Sequence, residues 1–269
     1  MQVTLLGTGA ADGWPNPWCT CASCTDARSR REQRGPTSAL VDGTLLLDLA
    51  PAPPPDGVLL AGVRTVLVTH DHPDHCAPLM LLARQWVRRA DPLTVAGPPS
   101  VLDAVRPWLG PDDPVELVAV GPGTTLDRDG YAVRALAADH EVPTVLYDVT
   151  GPDGARLLYA TDTGPLPAST LEAVRGAAFD VVLLEETFGD LVGHGTGHLD
   201  LRTFPEQLDR LRTVGAVTPA TDVVAVHLGH HNPPAAALGR RLAPHGARLV
   251  PDGATLLARG RGAAVRRGA

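Results

Sequence analysis

Residues 69–75 read Thr69-His70-Asp71-His72-Pro73-Asp74-His75, directly after a short apolar run from Arg64 to Val68. That run has the continuous Val/Leu character of a buried strand. At its end, His70, His72, Asp74 and His75 crowd four potential metal ligands into six positions. A lone histidine is usually solvated or hydrogen-bonded, but a cluster this dense is hard to assign to packing. Imidazoles and carboxylates held so close disfavour one another's charged forms unless a cation sits among them. His70 and His72, two apart, can point to one side of the loop, while Asp74 and His75 can reach a second position. The spacing therefore suits two metal ions.

Each ion needs ligands from elsewhere, and three residues offer them at the ends of apolar runs. His140 lies in Ala138-Asp139-His140, Asp162 in Tyr159-Ala160-Thr161-Asp162-Thr163-Gly164, and His227 directly after Val223 to Val226. Asp139, Glu185 and Glu186 are placed to orient such ligands. Strands are predicted at 2–6, 93–96, 115–120, 131–136, 180–184 and 223–226. Hairpins are predicted over 39–49 at Asp42-Gly43, over 145–160 around Pro152-Asp153-Gly154, and over 248–257 at Asp252-Gly253. Helical spacing covers 77–89, with Leu79, Leu82, Trp86 and Val87 inward, and further helices fit 169–175, 201–212 and 234–242. With no internal repeat and only the short Pro51–Pro55 stretch as a stiff loop, residues 1–269 read as one domain. An Arg-rich flexible tail is expected at about 259–269.

Composition removes several classes. All 23 basic residues are arginine, so a P-loop phosphate-binding lysine and a Schiff-base lysine are both excluded. A net charge of −7 argues against broad nucleic-acid binding. No segment approaches the ~18 apolar residues of a membrane span, and Met1 to Gly7 lacks the pattern of a signal peptide. A cytoplasmic protein is the expectation.

The His70-x-His72-x-Asp74-His75 motif, followed in order by His140, Asp162 and His227, resembles the metallo-β-lactamase-fold hydrolases, from Leu6-Gly7-Thr8-Gly9 through to His227. The resemblance implies an α/β (α+β) fold, an αββα sandwich of two mixed sheets with helices outside. It also implies that His70, His72 and His140 hold one metal, that Asp74, His75 and His227 hold the other, and that Asp162 bridges them. Imidazole and carboxylate ligands accept Zn²⁺, Mn²⁺ or Fe²⁺.

A second cluster, Cys19-Thr20-Cys21-Ala22-Ser23-Cys24, places three thiols where a tetrahedral Zn²⁺ wants one more ligand. His230, three residues after His227, is the first choice to close this structural site, and His231 is the rival. Cys76 reads as a small buried residue. The cysteine loop resembles that of the cyclic phosphodiesterases of the carbon–phosphorus lyase pathway. Trp14-Pro15-Asn16-Pro17-Trp18 before it is similar to the pyrroloquinoline-quinone biosynthesis B proteins, which do not show the full His/Asp set.

The expected activity is hydrolysis of a small, cyclic phosphodiester by attack of a metal-bridging hydroxide on phosphorus. Asp74 and His198 are the candidate catalytic residues. His198, in Gly193-His194-Gly195-Thr196-Gly197-His198, would contact the phosphate or protonate the leaving group, with His194 competing for that role. This loop loosely resembles ribonuclease Z-type members, but no basic, Gly-rich insertion is present to serve as their RNA-holding arm. A small-molecule substrate is expected, without large nucleic acid or membrane. Relatives commonly form homodimers, though no interface is legible. The alternatives are a lactone or thioester hydrolase on the same metals, and a cofactor-biosynthesis protein with little turnover.

Overall fold

The computed structural model describes residues 1–87 and 90–260. Its short apolar runs pair into two sheets. In the first, β1 (Gln2–Gly7), β2 (Ser38–Val41), β3 (Leu45–Leu47), β4 (Thr65–Leu67), β5 (Leu93–Gly97) and β6 (Val115–Ala119) lie side by side in chain order. Pairing is antiparallel from β1 to β3 and parallel from β3 to β6. Asp42 and Gly43, at φ 46° and 72°, make the tight β2–β3 turn that an Asp-Gly pair favours.

The second sheet comprises β7 (Thr125–Arg128), β8 (Tyr131–Ala137), β9 (Val145–Thr150), β10 (Arg156–Ala160), β11 (Val181–Glu185), β12 (Asp222–Val226) and β13 (Ala247–Arg248). It is antiparallel as far as β10 and parallel beyond. The last strand, β14 (Thr255–Leu257), returns to the first sheet and pairs with β1.

The sheets face one another across a core in which Leu5, Val41 and Leu67 meet Tyr147, Leu157 and Leu183. Helices cover the outer faces. α1 (Ala22–Arg30) sends Ala27 into the layer outside the second sheet. α2 (Leu79–Trp86) and α3 (Pro99–Val105) pack on the first sheet through Leu81, Val101 and Val105. α4 (Ala168–Ala173), α5 (Thr203–Thr213) and α6 (Ala235–Leu242) cover the second, with Phe204, Leu208 and Leu238 fully buried. The chain is thus an αββα sandwich. Parallel strands deliver their carboxyl ends to a common edge, where connecting loops carry polar groups.

Two local expectations are corrected. Residues 248–257 do not form a hairpin, because β13 belongs to the second sheet and β14 to the first. Asp252 lies between them and fixes the crossing by accepting from Thr8 Oγ1 and Gly35 N. Most of the stripe predicted to face inward faces outward: Leu79, Trp86 and Val87 are 56%, 71% and 68% exposed, while Leu82 is half-buried. A β-bridge from Leu49 to Cys76, with Ala77 N donating to Leu49 O, holds the chain just before the helix. That clamp sets the rotation and turns Leu81 inward. Residues 88–89, the end of that predicted helix, lie outside the described residues. So does the tail from 261 on, while Gly260 is buried against residues 153–155.

Candidate metal centre

The loop after β4 carries His70, His72, Asp74 and His75 to the sandwich edge. There they meet His140 from beyond β8, Asp162 from beyond β10 and His227 from the end of β12. Their ligand atoms converge as two sets. One contains His70, His72, His140 and Asp162, and the other Asp74, His75 and His227. Asp162 Oδ1 lies 3.2 Å from His75 Nε2 and 3.3 Å from His227 Nε2. Its Oδ2 lies 3.6 Å from His70 Nε2 and 3.9 Å from His140 Nε2. One carboxylate therefore faces both sets, one oxygen to each.

The surrounding hydrogen bonds decide which ring nitrogen each histidine presents. Thr69 Oγ1 donates to Asp48, so it can only accept from His70 Nδ1, at 3.0 Å. Thr187 Oγ1 donates to Glu185 Oε2 and, by the same logic, accepts from His227 Nδ1 at 2.9 Å. His140 Nδ1 donates to Gly197 O at 3.0 Å. His75 Nδ1 lies 2.7 Å from Asp48 Oδ2. Four imidazoles thus turn Nε2 toward the same space, and His70 Nε2 is buried with no hydrogen-bond partner. His75 and His227 bring Nε2 atoms within 3.2 Å of each other, beside Asp74 Oδ2 at 3.1 and 3.3 Å. Lone pairs and carboxylates aimed together call for positive charge between them, and the donor set fits two divalent cations.

Electrostatics agree with that reading. Burial, reinforced by the neighbouring imidazoles against Asp162, holds His70 down to about 2, so it stays a neutral ligand. Burial opposes charge on His75, yet Asp162 and Asp48 hold it well above its ordinary value. Asp74 falls well below the carboxylate range: burial works against this, but hydrogen bonds to His227 and His75 prevail. Strained backbone marks the same place. Asp48, Asp162 and His227 have φ of 60°, 59° and 55°, a region L-residues enter at a cost.

Asp48 was not singled out from the sequence. It is fully buried at the end of β3 and accepts from Thr69 N, Thr69 Oγ1, Tyr159 Oη and His75 Nδ1. A carboxylate inside the apolar stretch Leu45 to Leu49 was the available signal. Glu185 orients as expected. It accepts from Thr163 N, Leu199 N and Thr187 Oγ1, and lies 3.0 Å from His198 Nδ1. Glu186 instead turns its carboxyl to Gly189 N. Asp139 contributes through its backbone, its carbonyl accepting from Gly164 N.

His198 reaches the centre ring against ring, stacked at 5.3 Å on His227 and edge-on at 4.8 Å to His140. Burial opposes its charge, but Glu185 prevails and raises the imidazole to about 9. The loop before it lies on the turn carrying Asp162: a Cβ on Gly164 would sit 1.6 Å from Thr196 O, so only glycine permits this approach. His194 stays exposed at the tip of that loop.

The three cysteines of the second cluster also meet, at the N-terminus of α1. Each sulfur lies 3.4 Å from a backbone N–H: Cys19 from Cys21, Cys21 from Cys24, and Cys24 from Asn16. Burial pushes Cys24 to about 12, so its ionisation needs a balancing cation. His230 approaches through its carbonyl, 3.8 Å from Cys21 Sγ, while its Nδ1 is engaged by Asp12. The side-chain donors of His230 gather with those of Asp12 and His231, as a set separate from the three thiols. His231 lies beside it, ring centroids 4.0 Å apart. Cys76 is buried, as expected.

Fold and site together define a metallo-hydrolase architecture. Residues 35–228 match the family model described as a beta-lactamase superfamily domain, and the chain belongs to that superfamily as a metallo-β-lactamase-fold hydrolase. It is similar to ribonuclease Z of Mycobacterium marinum, 34% identical over 212 residues that cover 69% of this chain and 72% of the relative. Among solved structures, Zn²⁺-bound PqqB from Methylobacterium extorquens has a TM-score of 0.75 at 22% identity, covering 96% of this chain and all 100% of that one. A diphosphatase from the PhnP family has a TM-score of 0.72 at 22% identity, covering 95% of this chain and 96% of that one. No helix among the described residues is long and apolar enough to cross a membrane.

Proposed function

We propose that the protein is a two-metal phosphodiesterase acting on a small phosphodiester, with cyclic phosphates the favoured form. His198 carries the reading. Glu185 occupies its Nδ1, its ring lies against two ligand imidazoles, and only Nε2 is left to reach a substrate. His70, His72 and His140 would hold one cation and Asp74, His75 and His227 the other, with Asp162 between them. When bound, the two cations neutralise charge on the phosphoryl oxygens and supply a nucleophilic water at neutral pH. His198 donates its Nε2 proton to the departing alkoxide, while Glu185 steadies the imidazolium that donates it. A thioester expels a thiolate that needs no such donor, so the pair favours an oxygen leaving group. We further assign Cys19, Cys21, Cys24 and His230 to a structural zinc.

The small substrate is supported by the −7 net charge, and by Asp71 and Glu141 beside the ligands. The similarity to ribonuclease Z favours a second reading, cleavage of structured RNA. A substrate panel on Zn²⁺- or Mn²⁺-loaded protein separates the possibilities. Turnover is expected on bis(p-nitrophenyl) phosphate and a 2′,3′-cyclic nucleotide, and not on a lactone, a thioester or a precursor tRNA. His198→Ala should slow the cyclic nucleotide by about 10²–10³-fold. It should slow the p-nitrophenyl diester much less, since that leaving group departs without a proton. Turnover confined to the lactone or thioester would overturn the proposal, and efficient tRNA cleavage would promote the second reading.

A further inference from the structure

Phe188 and His194 take no part in the chemistry described so far, yet they stand next to the group that protonates the leaving oxygen. The Phe188 ring centroid lies 5.3 Å from that of His198 at 82°, and 5.0 Å from that of His194 at 87°. His231 continues the row, 6.4 Å from His194. The backbone beneath Phe188 is fixed on both sides. Thr187 N and Phe188 N both donate to Leu199 O, and Leu201 N donates to Gly189 O. Thr187 and Gly189 are buried, whereas the Phe188 ring between them is only partly covered. His194 is exposed between Gly193 and Gly195, at φ 76° and 100°, and its ring still rests against Phe188. A strand exit tied on both sides and a glycine-built loop tip therefore place an aromatic corner, partly exposed, beside the metal centre.

We propose that Phe188 and His194 form a stacking subsite for a flat heteroaromatic group on the substrate, and that the substrate class is phosphodiesters whose leaving group carries a nucleobase. This inference rests on the phosphodiesterase reading for its orientation. His198 meets the leaving oxygen, so whatever that oxygen carries extends past His198 onto the Phe188 and His194 rings. Every base offers a π-face, so rings of this kind bind bases with little sequence preference.

The test is equilibrium binding of adenosine 5′-monophosphate and ribose 5-phosphate to the metal-loaded full chain. The two ligands share sugar and phosphate and differ by the base. Wild type should bind the nucleotide about tenfold more tightly or better. Phe188→Ala should bring the ratio close to one, and Phe188→Tyr should keep it. Phe188→Leu preserves apolar bulk without a π-face and should behave as Phe188→Ala, which separates stacking from packing. Equal binding of the two ligands by wild type, absence of binding by either, or a ratio indifferent to Phe188→Ala and Phe188→Leu would overturn the subsite. The readout is independent of turnover. Base-dependent binding without diester hydrolysis would discard the reaction and keep the corner, and diester hydrolysis with equal binding would discard the corner alone.

Discussion

Two buried carboxyl groups show how one functional group acquires opposite roles. Asp48 is saturated with donors, one of them His75 Nδ1, and so holds that imidazole with Nε2 toward the ligand space. Asp48→Asn should leave the chain folded but weaken binding of one cation by about 10–100-fold, as measured by competition with a chromophoric chelator. Unchanged affinity for both cations would remove Asp48 from the account. Glu186 is buried with Oε2 unpartnered, and neighbouring Asn232 turns its Nδ2 to the carbonyls of Glu186, Thr187 and Gly229. Burial raises its carboxyl well above 4.5, with a further contribution from Glu185, while Asn232 works against the shift. The folded chain therefore keeps a proton that the unfolded chain releases above pH 4.5, and stability falls as pH rises from there toward the folded value. Glu186→Gln supplies a permanent donor. Denaturant titrations should find the variant equal to wild type near pH 4 and more stable at pH 7, the margin growing by up to about 1.4 kcal/mol per pH unit. A constant difference across that range would mean that Glu186 is ionised when folded.

At the scale of elements, the histidine loop was legible because its ligands are contiguous and follow a recognisable strand. Asp48 was not, since its partner His75 is 27 residues away and a single Asp after leucines carries no spacing signal. Glu185 and Glu186 are adjacent at the end of β11, and sequence alone could not say which side chain faces the site. His198 was the first choice over His194 only on a loose likeness of its loop, and what distinguishes it is Glu185, which lies on His198. α1 was missed altogether: Ala22–Arg30 has no apolar stripe, and Cys21 supplies its cap by accepting from Cys24 N. That helix start is where the proposed structural zinc belongs. Cys24→Ala should lose one zinc per chain and about 3 kcal/mol of stability, roughly 6–12 °C in the unfolding midpoint. Metal analysis beside a thermal melt would check both, and an unchanged zinc content would remove the structural site.

Across the whole molecule, the layered architecture followed from the resemblance carried by the His/Asp series, and strand positions were readable from apolar runs bounded by turns. Sheet membership was not. Asp252-Gly253 looks like a hairpin turn, but β13 and β14 pair into different sheets, and that choice is made by partners 24 residues away for β13 and 251 to 255 for β14. The outward stripe of α2 has the same origin, because a bridge to Leu49 rather than the helix's own pattern sets its rotation. Such pairings are long-range, and a local reading has no access to them. The two ligand sets join four segments in this way, and the proposed function requires both sets to be filled at once. The most direct test adds Zn²⁺ or Mn²⁺ stepwise to metal-stripped protein while following hydrolysis of bis(p-nitrophenyl) phosphate, with Asp162→Ala alongside. Activity should rise until two equivalents beyond the thiolate site are bound, and Asp162→Ala should stay inactive at every ratio. Full activity at a single active-site equivalent, or a fully active Asp162→Ala protein, would contradict a shared two-metal centre.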